Sequence, residues 1–159
     1  MEKINLNRVP MPKQDPHMRV KNFEEVALGY SYGQARSEAE RCIQCPKPTC
    51  IEGCPVEINI PGFIKAVADD DMPSAVAILK DKNSLPGICG RVCPQESQCE
   101  SKCVFAKRGA PIAIGRLERY VADWEQANLK DLAPVAMKSE STGKCVAVVG
   151  AGPASLTVA

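Results

Sequence analysis

Two stretches decide how this sequence is read: Cys42-Ile-Gln-Cys45-Pro-Lys-Pro-Thr-Cys50-Ile-Glu-Gly-Cys54-Pro55 and Cys89-Gly-Arg-Val-Cys93-Pro-Gln-Glu-Ser-Gln-Cys99-Glu-Ser-Lys-Cys103. Together they hold all but one of the nine cysteines in 159 residues. Between Cys42 and Cys103 the cysteine density, roughly 13%, exceeds that of a disulfide scaffold, but only locally. Disulfides need an oxidising compartment, and nothing in the chain marks it as secreted. Structural zinc favours pairs of cysteines with short gaps, and only Cys42 and Cys45 have just two residues between them. The sole histidine, His17, lies far from both groups. A compact run of three cysteines, then a fourth followed by proline, is an iron–sulfur arrangement in which the last cysteine serves the other cluster. Cys54-Pro55 and Cys93-Pro94 both have that form, although the four-residue gap from Cys45 to Cys50 departs from an ordinary ferredoxin loop. The spacing predicts interleaved sets: Cys42, Cys45 and Cys50 closed by Cys103, and Cys54, Cys93 and Cys99 with a fourth ligand left open. Counting favours Cys89 for it. A zinc-stabilised interaction module without a redox role is the alternative.

Working outward, the periodicity predicts a mainly helical domain. A helix is expected around Phe23, Val26, Ala27 and Leu28 with Asn22 as its cap, and another from Gln34 to Arg41. Residues 42–57 read as loop. Pro61 and Pro73 are placed to open two further helices, with Phe63, Ile64, Val67 and Ala68 apolar in the first and Ala75, Val76, Ile78 and Leu79 in the second. Asn83 to Pro86 reads as a turn, and Glu96 to Lys102 as a short helix. The longest helix follows Pro111, with Ile112, Ile114, Leu117, Tyr120, Val121 and Trp124 at spacings of three and four. Ahead of all this, Pro10, Pro12 and Pro16 make residues 1–20 an extended arm, either a tail or a strap that docks on a partner.

The pattern changes near the C-terminus. Cys145-Val-Ala-Val-Val149 is a continuous apolar run that reads as a buried parallel strand, with Cys145 as a packing residue. Gly150-Ala-Gly152-Pro-Ala-Ser155 after it is a dinucleotide-binding signal. Ser155 stands where glycine or alanine is usual. The expected organisation is an N-terminal arm at 1–21, a helical iron–sulfur domain at 22–127, a linker at 128–143, and at 144–159 the truncated start of an FAD-binding domain. On this reading the chain is a fragment whose last residues bind no dinucleotide by themselves.

Charge and composition bound the function. Twenty Lys and Arg against 19 Asp and Glu give a net charge of +1, without the basic excess of nucleic-acid or membrane-surface proteins. No apolar run has the ~18 residues of a membrane span and no signal peptide is evident, so a cytoplasmic location is expected. Aromatic residues are only 4%, a thin supply for a core. Basic residues crowd the cysteines: Arg41, Lys47, Arg91, Lys102, Lys107, Arg108, Arg116 and Arg119. They are either solvated surface or groups that offset cluster charge or dock a redox partner, and Arg91 is expected nearest a cluster. Metal binding is expected to supply the folding free energy of residues 42–103.

The ordered motifs Arg41-Cys-Ile-Gln-Cys-Pro-Lys-Pro-Thr-Cys50, Gly53-Cys-Pro-Val56, Gly87-Ile-Cys-Gly-Arg-Val-Cys-Pro94 and Pro111-Ile-Ala-Ile-Gly115 resemble the N-terminal iron–sulfur domain of the NADPH-dependent glutamate synthase small-subunit family. That family includes the large subunit of the NADH-dependent ferredoxin:NADP oxidoreductase, and the N-terminal domain of dihydropyrimidine dehydrogenase is similar. The resemblance covers roughly residues 22–159. It implies an all-α, alpha-helical ferredoxin-like domain with two 4Fe–4S clusters, passing electrons between FAD and a partner redox subunit. FAD and NADPH domains would follow in the full-length chain. It also implies that Gly150, Gly152 and Ser155 hold FAD only in the full-length protein. The eighth metal ligand is then Glu118 of Gly115-Arg-Leu-Glu118, and Cys89 is a bystander. No catalytic acid, base or nucleophile is expected here; the parent protein would be an NADPH-dependent oxidoreductase. With seven thiolates and two oxidised cluster cores, the formal charge falls to about −2.

Overall fold

The computed structural model describes residues 5–128 and 140–159. Eight α-helices lie among them: α1 (Pro16–Arg19), α2 (Tyr32–Ala39), α3 (Thr49–Glu52), α4 (Ile60–Ala68), α5 (Met72–Lys80), α6 (Pro86–Val92), α7 (Ile114–Asn128) and α8 (Pro153–Val158). Two 3-10 turns, Glu100–Lys102 and Val104–Lys107, sit between α6 and α7.

Local chemistry sets these boundaries. Ser31 and Gln34 form a reciprocal capping box at the start of α2, which satisfies two donors that helix geometry leaves unpaired. Asn59 accepts from the Gly62 amide at the start of α4, and Asp71 from the Ser74 amide at the start of α5. Pro61 and Pro73 stand in the first turns of these helices, where no intrahelical donor is lost. The core is built from α4, α5 and α7, with Phe63, Ile64, Leu79, Leu117 and Val121 buried to 1% exposure or less. The Ile112-Ala113 segment before α7 is buried with them.

The arm is a strap on its own domain. Tyr30 donates its hydroxyl to the Val9 carbonyl at 2.6 Å, and the Val9 amide donates to Glu38 Oε2 at 2.7 Å. Lys13 and Ala27 form an isolated antiparallel bridge, flanked by the Gln14 amide on the Val26 carbonyl and the Leu28 amide on the Pro12 carbonyl. This pairing is also why the helix expected over Phe23–Leu28 does not form. Val26 and Leu28 give their backbone groups to the strap, Phe23 is fully exposed, and Asn22 caps only a turn by accepting from the Glu24 amide.

The strand expected at Cys145–Val149 is likewise absent. Among the described residues there is no strand, and Val146 and Val149 are 81% and 91% exposed. A parallel strand takes its hydrogen bonds from neighbouring strands, and the described residues offer none. The Rossmann-type start therefore reduces here to a turn, with Gly150 at φ +110°, leading into α8. Most of the expected linker at 128–143 lies outside the described residues.

One buried ion pair joins these parts. Glu38 is completely buried. It pairs with Arg41 and accepts from the backbone amides of Val9 and Ala113. Arg41 in turn donates to the carbonyls of Asn5, Leu6 and Ala110. Removing one partner strands a buried charge, at a cost of about 3–5 kcal/mol. Glu38→Ala is expected to lower stability by that order, and Glu38→Gln by less, since a carbonyl acceptor remains. Thermal denaturation of the two variants beside the unsubstituted protein measures the difference.

Candidate metal centre

The first predicted donor set converges. Cys42 lies three positions past the end of α2, its amide bonded to the Ala39 carbonyl at 3.0 Å. Gln44, at φ +50°, turns the chain toward Cys45, and the short α3 carries Cys50. Thr49 donates its hydroxyl to the Lys102 carbonyl at 2.6 Å, tying α3 to the segment that bears Cys103. Cys42, Cys45, Cys50 and Cys103 together line one apolar cavity walled by Ile60, Ile64 and Phe105. Burial pushes the Cys50 thiol up to about 11, and the charges of Cys103, Cys42 and Cys45 add to the shift. Cys42 is raised for the same reasons.

The second set is assembled from three segments. Gly53 allows it: a Cβ there would lie 2.7 Å from the Gln98 carbonyl oxygen and 3.0 Å from Cys99 Cα. That approach sets Cys54 beside Cys99. Gly90 does the same for α6, where a Cβ would lie 2.6 Å from the Arg119 backbone nitrogen. Helix α6 thus lies directly on α7 and brings Cys89 and Cys93 to Glu118. The Cys93 thiol is pushed up to about 11, first by burial, then by Cys89, Glu118 and Cys54. Cys99 is pushed up to about 12 by burial, with Glu100, Cys54 and Glu118 adding to it. Glu118 is itself pushed up to about 7 by burial, opposed by a hydrogen bond from Asn83.

The first set fits a polynuclear cationic group, since its four cysteines line one apolar cavity. Burial pushes Cys42, Cys50, Cys93 and Cys99 all upward, so gathered thiolates are costly until a cation balances them.

Several participants carried no obvious mark in the sequence. The sequence marks α6 only as part of a cysteine-rich stretch and Asn83 only as part of a turn. Arg91 does not reach toward a cluster as expected. It pairs with Glu25 and Asp123, and Arg119 pairs with the same two carboxylates. Lys47, Lys102, Lys107 and Arg108 are exposed. At the other end, Gly150 and Gly152 are exposed, and Ser155 donates to the Val149 carbonyl at 3.3 Å, within its own loop.

These features define a helical, cysteine-rich domain built to hold iron–sulfur chemistry. The 4Fe-4S family described as dihydropyrimidine dehydrogenase domain II matches residues 19–130, and the chain belongs to it. The chain is 38% identical over 158 residues to the glutamate synthase [NADPH] small chain of Escherichia coli K12, covering 98% of this chain and 33% of that one. The corresponding chain of Azospirillum brasilense is 38% identical over 154 residues, covering 94% and 31%. The NAD-dependent dihydropyrimidine dehydrogenase subunit PreT of E. coli K12 is 36% identical over 134 residues, covering 84% and 32%. The chain thus spans about a third of the length of these relatives. It is a 4Fe–4S domain of this family, similar to part of the glutamate synthase small chain and of PreT.

The fold narrows the expected consequence of metal loss. Helices α3 and α6, with four and seven residues, are too short to persist alone. Helices α4 and α5 are held instead by the apolar core they share with α7. Anaerobic chelation of iron is expected to unfold residues 42–57 and 86–108 while 60–80 and 114–128 persist, rather than to unfold the whole of 42–103. Limited proteolysis with far-UV circular dichroism reads this as cleavage confined to the first two ranges and partial loss of helix.

Proposed function

We propose that this chain carries two 4Fe–4S clusters and relays electrons between an FAD and a partner redox subunit. Cys42, Cys45, Cys50 and Cys103 would hold one cluster; Cys54, Cys93, Cys99 and Glu118 would hold the other. The observation that carries this reading is the interleaving. Cys50 and Cys54 are only four residues apart, yet Cys50 lines the cavity with Cys103 while Cys54 acts on Cys93 and Cys99. One short segment would thus feed two separate donor sets. The clusters supply one-electron chemistry; the protein supplies ligands, burial and spacing. A carboxylate in place of a thiolate changes the electron donation to one of them.

The remaining assignments rest on the relatives. Residues 22–127 form the electron-transfer unit and 144–159 the beginning of an FAD-binding region, where Gly150, Gly152 and Ser155 would approach the pyrophosphate. FAD and NADPH domains belong to the parent chain, and the setting is cytoplasmic. Among the described residues no helix is long and apolar enough to cross a membrane.

Anaerobically purified protein is expected to be brown and to contain iron and acid-labile sulfide in the ratio of two 4Fe–4S clusters per chain. A colourless protein with stoichiometric zinc would instead identify a zinc-stabilised module. Within the second set, Glu118→Ala is expected to alter one cluster's electron paramagnetic resonance signal more than Cys89→Ala does. The opposite ranking removes Glu118 from the ligands.

A further inference from the structure

Asn83 sits in the turn between α5 and α6 with 7% of its surface exposed. Its side-chain amide makes three hydrogen bonds. Nδ2 donates to Glu118 Oε1 at 2.8 Å, and Oδ1 accepts from the Leu85 amide at 2.9 Å and from the Cys89 thiol at 3.7 Å. One buried amide therefore grips both candidates for the eighth ligand position. The two candidates lie 29 residues apart in sequence and reach the same place only because Gly90 lets α6 rest on α7.

The two contacts act differently. The bond to Glu118 holds one carboxylate oxygen and fixes the orientation of the group. Among the described residues Oε2 accepts no hydrogen bond, so it is left to bind. The charge of Glu118 is felt by both Cys93 and Cys99. The bond from Cys89 instead engages that thiol's proton with an amide oxygen, although the sulfur lies beside Cys93. The Leu85 amide locks the Asn83 side chain so that it cannot rotate freely to exchange these roles. Burial of the amide raises the stakes, because an unsatisfied partner has no water to replace the lost bond.

We propose that Asn83 is a positioning residue that selects Glu118 over Cys89 as the eighth ligand of the two-cluster domain. This rests on the reading of Glu118 as a ligand. Asn83 touches neither cluster by this account; it acts by aiming one donor and occupying the thiol proton of the other, as a second layer of contacts orients metal ligands generally.

The test uses holoprotein purified anaerobically, with Asn83→Asp and Asn83→Leu. The aspartate keeps an acceptor for Cys89 but presents a like charge to Glu118; the leucine removes both bonds at similar size. Two readouts are taken: the electron paramagnetic resonance spectrum of the reduced protein, and the rate at which Cys89 is alkylated by iodoacetamide, followed by mass spectrometry. In the unsubstituted protein Cys89 is expected to react while Cys93 and Cys99 are protected. In at least one variant Cys89 is expected to become protected by about tenfold or more, with a changed spectrum and the full iron content kept. The further change Cys89→Ser in that variant should then cost it one cluster, although Cys89→Ser alone costs none.

Unchanged labelling of Cys89 and an unchanged spectrum in both variants would overturn the proposal. So would loss of one cluster from both variants with helical content retained, since Cys89 would then be unable to take the place whatever Asn83 does. Glu118→Ala is read in parallel. An unaltered spectrum there overturns the ligand reading itself, separately from anything the Asn83 variants show.

Discussion

Thiols crowded into a small apolar space cannot all ionise without a cation among them, and most of this structure follows from that constraint. Cys50 and Cys99 show it most plainly: burial comes first among the causes that raise each, and neighbouring donors add to it. A bound cationic core reverses the sign of that balance, because deprotonated ligands then gain an attraction instead of a repulsion. The cysteine segments can therefore be nearly devoid of regular structure. Their helices have four and seven residues and their turns are 3-10, since metal ligation takes over the work that a long helix or a large apolar side chain does elsewhere. The low aromatic content fits the same balance.

A metal-dependent half needs a frame that does not depend on metal. Helices α4, α5 and α7 supply it through an aliphatic core, and Glu38 with Arg41 fastens the rest to that frame. Glu38 reaches the amide of Ala113, just ahead of α7, and the amide of Val9 in the strap; Arg41, next to Cys42, reaches three carbonyls. Such a pair contributes little net stability compared with an apolar replacement, but it is demanding about geometry. Its effect here is to fix where α2 ends, and so where Cys42 stands relative to the segment carrying Ile112 and Ala113. Arg8 adds a second tie through Glu100, one residue beyond Cys99, at 2.6 Å. The N-terminal strap is thus braced against both cysteine groups.

Much of this was legible in the sequence because it depends on short-range rules. Cysteine spacing with prolines after Cys54 and Cys93 predicted interleaved sets, and in the structure Cys42, Cys45, Cys50 and Cys103 line one cavity. Pro61 and Pro73 marked α4 and α5, and three- and four-residue spacing marked α7. The errors share a cause as well. Phe23 to Leu28 has helical spacing but gives its backbone to the strap, and Cys145 to Val149 has strand composition but no neighbour among the described residues. Periodicity reports what a segment can do, and the hydrogen-bonding partner decides what it does.

The sequence by itself determined the donor types, their spacing and the family, since spacing is a local property that survives without knowledge of the fold. Only the tertiary structure decided which helices meet. Gly90 admits α7 against α6, Gly53 admits the Cys99 segment against α3, and Asn83 joins Glu118 to Cys89 across 35 residues to one and six to the other. These are contacts between segments distant in the chain, set by how closely two backbones can approach, and no local pattern in the sequence encodes that distance.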